Sequence, residues 1–142
     1  MEGFVNIDRQ NADMNIDVRK GMPFDTNSVD FIYCSHFIEH LSHEEAWCFL
    51  DESFRVLKRG GKIRLSTPDL RIFAAKYLAR DIQFWDSRRW PGKTSADQFN
   101  YVLREMGHSY VYDFESLQSL LKSVGFARIQ QVPFEASLDN RP

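Results

Sequence analysis

The spacing of apolar positions changes several times along the chain, and each change predicts an element. GFVNI (3–7) is a short apolar run stopped by Asp8 and the polar DRQNAD, which reads as a strand; NIDV (15–18) reads as a second, very short one. A loop, RKGMPFDTNSVD, leads into VDFIYC (29–34), whose apolar and aromatic residues fall on both faces. That pattern predicts a strand buried on both sides, as in a parallel sheet lying under helices.

Ser42-His43-Glu44-Glu45 then has the form of a capping box, and Ala46, Phe49, Leu50, Phe54 and Leu57 follow at helical spacing. Lys58 and Arg59 suit the negative end of this helix, and Gly60-Gly61 predicts its left-handed stop. KIRLST (62–67) is the next strand. Thr67-Pro68 predicts a helix with proline at its first position and Leu70, Phe73, Ala74, Tyr77 and Leu78 on one face. Residues 81–94 are irregular and aromatic. A capping box at Ser95/Gln98 predicts a helix with Phe99, Val102, Leu103 and Met106 inward. Asp113 caps a further helix carrying Leu117, Leu120, Leu121 and Val124 and closed by Gly125. FARIQQVPF (126–134) reads as the last strand, and EASLDNRP as a polar tail. Strands alternating with helices predict an α/β fold with a mostly parallel sheet, and 142 residues without repeats or a linker predict one domain.

Charge and composition narrow the function. Eighteen Lys and Arg against twenty Asp and Glu give a net charge of −2, so no bulk attraction to nucleic acid is expected. No apolar stretch approaches the ~20 residues of a membrane span, and MEGFVNIDRQ is too polar for a signal peptide. Cys34 and Cys48 lack metal-ligand spacing and read as two buried, reduced thiols of a cytoplasmic protein.

YCSHFIEHLSH (33–43) contains three of the four histidines, and its HFIEH fits the H-x-x-E-H pattern of a zinc protease. Such a site needs both histidines on one helix and a third ligand from far along the chain. The capping box instead starts the long helix at Ser42, after both, so zinc proteolysis is set aside and no metal is expected. In open parallel sheets ligands bind outside the carboxyl ends of the strands. Asp8, Asp17, the group Ser35, His36 and Glu39, and the group Thr67, Pro68 and Asp69 each fall at such an end.

Residues 22–70 (MPFDTNSVDFIYCSHFIEHLSHEEAWCFLDESFRVLKRGGKIRLSTPDL) resemble a class I S-adenosylmethionine-dependent methyltransferase. The shared features are P-F-x-x-x-S-V-D, a buried strand, E-H-L, a helix ending R-V-L-K-x-G-G and a strand ending before P-D-L; GHSYVYDFESLQSLLKSVGF (107–126) continues the likeness more loosely. The resemblance implies a Rossmann-like methyltransferase fold, here an abbreviated, mostly parallel sheet flanked by helices, with 81–112 as a lid or substrate insertion. It implies S-adenosylmethionine as cofactor. Asp8 would hold the ribose hydroxyls, Asp17 and Val18 the adenine edge, and Ser35 and His36 would lie beside the methionine part. His36 and His108 would be the candidates for proton removal from a small-molecule or glycan-type acceptor, while Glu39 and His40 would orient their turn.

Each of these residues also has a plain structural reading. Asp8 ends a strand, Asp17 is a loop acid, His36 a hydrogen-bonded histidine and His43 a solvated first-turn residue. Phe84, Trp85, Trp90, Phe99 and Tyr101 form core and lid packing or, alternatively, a substrate wall with Arg88 and Arg89 as an anion clamp.

Only Met1 and Glu2 precede GFVNID, where the family carries a first strand and a glycine-rich turn, and the family's last strand has no counterpart either. In the family's strand order, 3-2-1-4-5-7-6, the strands without counterparts are interior. The remaining strands would therefore close up, or a homodimer would fill the gaps. The alternative function is accordingly a non-catalytic methyltransferase-like remnant, an oligomerising or partner-binding module. Lys62 and Arg64, unusual in a central strand, point to rearrangement there.

Overall fold

Two separate pairs of parallel strands organise the computed structural model, which describes residues 4–133. The first pair is β1 (Ile7–Asp8) with β2 (Met14–Asn15), both shorter than GFVNI and NIDV predict. The second is β3 (Val29–Ser35) with β4 (Leu57–Ser66). The pairs have not closed up into one sheet. Parallel sheets with helices fit an α/β fold.

The β3–β4 pairing corrects the expectation of a strand buried on both faces. In register are Ile32 with Ile63 and Cys34 with Leu65, and these four pack on the main core. The alternate residues, Phe31 opposite Lys62 and Tyr33 opposite Arg64, point to the other face, where Tyr33 is 47% exposed. One face is thus apolar and covered, the other amphipathic. This is why a lysine and an arginine fit a strand that reads as central.

Helix α1 (His43–Val56) begins as its capping box predicts: Glu45 N–H donates to Ser42 Oγ and Ser42 N–H to Glu45 Oε2. It ends four residues before Gly60. Leu57 is already extended and starts β4, so the glycine pair shapes a bulge inside the strand instead of stopping the helix. Gly60 takes φ +83°, and a Cβ on Gly61 would lie 2.9 Å from the Lys58 carbonyl.

Arg55 explains why the loop before β3 and the end of α1 go together. Its guanidinium donates to the carbonyls of Met22 and Phe24 and to Glu52, while Glu52 Oε1 accepts from Met22 N–H at 2.8 Å. The Arg55 charge holds the Glu52 carboxyl down at about 2. A depressed carboxyl contributes stability above its unfolded value, 4.5, and loses it as pH falls towards 2. Glu52→Gln should therefore be less stable than the parent at pH 7, by on the order of 1 kcal/mol given the partial exposure of the pair. Urea denaturation should show that gap closing between pH 4.5 and pH 2; an unchanged gap would sink the assignment.

Helix α5 (Phe114–Val124) is capped by Asp113 and closed by Gly125, as expected, and packs on α1 with Leu120 and Leu121 buried. The middle of the chain departs further from its sequence reading. Helix α2 (Leu70–Leu78) is capped by Asp69, so Pro68 precedes the cap, and its apolar face is only partly used: Phe73 is buried but Leu78 is 80% exposed. Helix α3 (Ile82–Asp86) occupies part of the segment expected to be irregular. The box of α4 (Ser95–Asn100) is Thr94/Asp97, one residue earlier than Ser95/Gln98. A π turn, Tyr101–Glu105, continues α4, burying Val102 and leaving Met106 exposed. Phe73, Trp85 and Val102, with Phe84, Trp90, Phe99 and Leu103 around them, form a second core distinct from the first. Residues 126–133 contain no strand, which corrects the last predicted one; Phe134 and the polar tail lie outside the described residues.

Candidate functional site

At the carboxyl end of β3 stands one of six described non-glycine residues with positive φ. His36 adopts φ +50°, a left-handed conformation costly for a side chain with a Cβ, and its N–H donates to the Ser66 carbonyl at 2.9 Å. The chain then turns through a 3₁₀ segment, Ile38–His40. HFIEH is therefore a turn and not a helix: His36 lies ahead of it, and His36 and His40 have separate partners.

Glu39 is the centre of this turn and has no solvent exposure. His36 Nδ1–H donates to its Oε1 at 3.1 Å and Thr67 Oγ1–H to its Oε2 at 3.0 Å. Its backbone carbonyl accepts from the amides of Ser109 and Tyr110. One buried residue thus ties the ends of both parallel strands to the loop before α5. The expectation that Glu39 orients the turn agrees with these contacts, although the partners Thr67, Ser109 and Tyr110 were not readable from the sequence.

His108 sits on that loop. Its Nδ1–H donates to the Val102 carbonyl at 2.6 Å, and its ring stands edge-on to His40 at 4.9 Å. His40 Nδ1–H donates to the Gly107 carbonyl, and Ser109 Oγ–H to the His40 carbonyl. His36 and His108 are thus drawn to one corner through Glu39 and His40. His43 is exposed, as expected, with its ring edge against Tyr110.

The expected cofactor residues are divided between the two strand pairs. Asp8 ends β1, is exposed, and takes the Arg9 amide on Oδ1. Asp17 is engaged more heavily than its loop position suggests. The Arg19 guanidinium binds it in bidentate fashion at 2.8 and 2.6 Å and holds its carboxyl far below the usual range, while Asp17 in turn raises Arg19. Arg19 also reaches Glu45 in the first turn of α1. The D-x-R spacing around a tight turn was the available signal for this pair. Val18 starts a 3₁₀ turn, Val18–Lys20, and packs on the main core; Ser35 is exposed at the end of β3.

Arg88 stacks its guanidinium 3.8 Å from the Phe84 ring centre, flanked by Phe73 and Trp90, so it is held by aromatic faces. Cys34 is buried as expected, which pushes its thiol up to about 12, whereas Cys48, also expected to be buried, is exposed on the outer side of α1. A shallow cleft of about 580 Å³ lies between the starts of α2 and α5, lined by Asp69, Arg71, Phe114 and Gln118, away from the histidine corner.

Residues 4–65 match a family described as a methyltransferase domain. This stretch runs from the residues before β1 through most of β4 and includes Asp8, Asp17, Val18, Ser35, His36 and Glu39, and the match supports a likeness to the class I S-adenosylmethionine-dependent methyltransferases. Searches of curated proteins and of solved structures give no match.

Proposed function

We propose that the chain is a Rossmann-like, S-adenosylmethionine-dependent methyltransferase domain whose acceptor is a small molecule or glycan-type group. The observation that carries this reading is the left-handed His36 at the carboxyl end of β3, held by the buried Glu39 beside the end of β4. Strained backbone kept in place by a buried hydrogen-bonding hub is a feature of functional sites. It occurs here inside the segment that matches the methyltransferase family.

Asp8 would bind the ribose hydroxyls, because a carboxylate facing a diol accepts two charge-assisted hydrogen bonds. Val18 would present its backbone to the adenine edge. Asp17 would act there through its Arg19 pair, since the guanidinium occupies both its oxygens. Ser35 and His36 would border the methionine part. The bound cofactor supplies a methyl group already activated on a sulfonium, so what remains for the chain is to align an acceptor and take its proton. His36 has the geometry to accept that proton, because Nδ1–H is fixed on Glu39, which leaves Nε2 as the lone pair on an exposed edge. Residues 81–112 would form the lid, with the second aromatic core, shared with Phe73 of α2, as its body and Ser109, Tyr110 and Tyr112 as its attachment to the main fold.

A second reading, a module that binds a partner or a second copy of itself, is supported by the partly exposed face of β3–β4, where Tyr33 is open to solvent and Phe31 lies edge-on to Phe4. Calorimetric titration with S-adenosylhomocysteine, alongside light scattering, separates the two. The enzyme reading expects micromolar binding that falls about 10- to 100-fold in Asp8→Ala, the loss of a charge-assisted pair. Absence of heat at millimolar ligand overturns it, and a dimer under those conditions favours the second.

A further inference from the structure

We propose that Glu39, His40 and His108 form a binding site for a borderline divalent transition metal, zinc foremost. A nitrogen of each ring and a carboxylate oxygen of Glu39 all lie within 4.8 Å of one another. The hydrogen bonds decide which nitrogens are free. Carbonyl oxygens only accept, so Nδ1 of His40 carries its proton towards Gly107 and Nδ1 of His108 carries its proton towards Val102. Both rings are thereby fixed as the tautomer with a lone pair on Nε2. A metal-bound histidine has the same arrangement, its other ring N–H donated to a backbone carbonyl or carboxylate.

Glu39 completes the set. It already accepts from His36 and Thr67, one bond on each oxygen, but a carboxylate has about four lone-pair sites, which leaves room for a metal bond. Two imidazoles and one carboxylate, with water in the fourth position, suit zinc and disfavour magnesium or calcium, which prefer oxygen. Tetrahedral bonds of about 2.0–2.1 Å bring ligand atoms to about 3.3 Å apart, so the groups would draw in by up to about 1.5 Å. The backbone is already positioned for this: Ser109 and Tyr110 N–H donate to the Glu39 carbonyl and Ser109 Oγ–H to the His40 carbonyl. Gly107, at φ +77°, makes the turn that sets its carbonyl against His40.

The pattern HFIEH thus contributes two ligands, but not the two a protease would use, and the distant third is His108. The proposal does not require a bound methyl donor, because none of its ligands is among Asp8, Asp17 and Val18, although Glu39 also holds His36.

The test uses the full chain stripped with a chelator and titrated with Co²⁺ and Zn²⁺. Expected are the intense visible bands of four- or five-coordinate Co²⁺, their displacement by Zn²⁺, and a Tm raised by about 5 °C or more at a hundredfold excess over Kd. His40→Ala and His108→Gln should each weaken binding by more than about tenfold, while His43→Ala keeps it. Far-UV circular dichroism of the metal-free variants checks that they fold, and the glutamine variant is the milder of the two should alanine disturb the turn. Absence of binding at millimolar metal, or equal binding by the parent and His108→Gln, would overturn the proposal.

Discussion

Glu39→Ala should lower stability by about 2–4 kcal/mol, the sum of a buried cavity and of donors left facing it without an acceptor. Glu39 is fully buried, and its side chain accepts from both His36 and Thr67. Truncation removes both acceptors at once, and neither donor has a second partner to turn to within the turn. Through Thr67 the effect reaches the end of β4, and through the backbone of residue 39 it reaches the loop at 109–110. Glu39→Gln keeps the volume and one acceptor oxygen, so it should lose less, about 1–2 kcal/mol. Urea denaturation of the three proteins measures the series. Native-state hydrogen exchange should show the amides of Ser109 and Tyr110 opening first in the alanine variant. A change below about 0.5 kcal/mol, within the range of ordinary surface substitutions, would show that Glu39 is not the hub of this corner.

The legible parts of this fold were those whose signals are local. The Ser42/Glu45 box, the Asp113 cap and the Gly125 stop each depend on residues three or four apart, and each is found where the sequence places it. The same holds for the start of β3 at Val29. Errors arose where a local signal competes with tertiary pairing. Gly60-Gly61 is a good helix stop in isolation, yet Leu57 is taken into β4 opposite Val29, and the glycines become a bulge. VDFIYC is apolar enough for a strand covered on both faces, but Val29, Ile32 and Cys34 pack on the core while Phe31 and Tyr33 do not, because cover for the other face is a matter of distant chain.

The candidate site was legible to the same degree. The strand end Ser35-His36 could be found from the pattern of the sheet, and Glu39 from its place in E-H-L. What connects them could not. Thr67, Gly107 and Ser109 reach the turn across tens of residues, and no periodicity encodes such contacts. The pairing of His40 with His108 is of this kind: both residues are visible in the sequence, and only the fold makes them neighbours.

The second core makes the other large prediction. Trp85 is 1% exposed and lies among Phe73, Phe84, Trp90 and Phe99, with ring centres 5.1–6.4 Å away. Trp85→Ala should cost about 3–5 kcal/mol, because the cluster has few residues with which to fill so large a cavity. Trp85→Phe should behave very differently. The indole N–H is buried without a hydrogen-bond partner among the described residues, so removing it relieves a desolvation cost that offsets part of the lost area. The phenylalanine variant should therefore fall within about 1.5 kcal/mol of the parent, as volume-tolerant apolar exchanges do. The two cores share few ties: Leu70 N–H to the Tyr112 carbonyl and His108 to the Val102 carbonyl are the main polar ones. Hydrogen exchange of the alanine variant should accordingly show α2 to the π turn losing protection while α1 and α5 keep theirs, as separable cooperative units do. Uniform loss of protection through both cores would mean that the aromatic segment is an integral part of the main fold, and the lid assignment for 81–112 would fall with it.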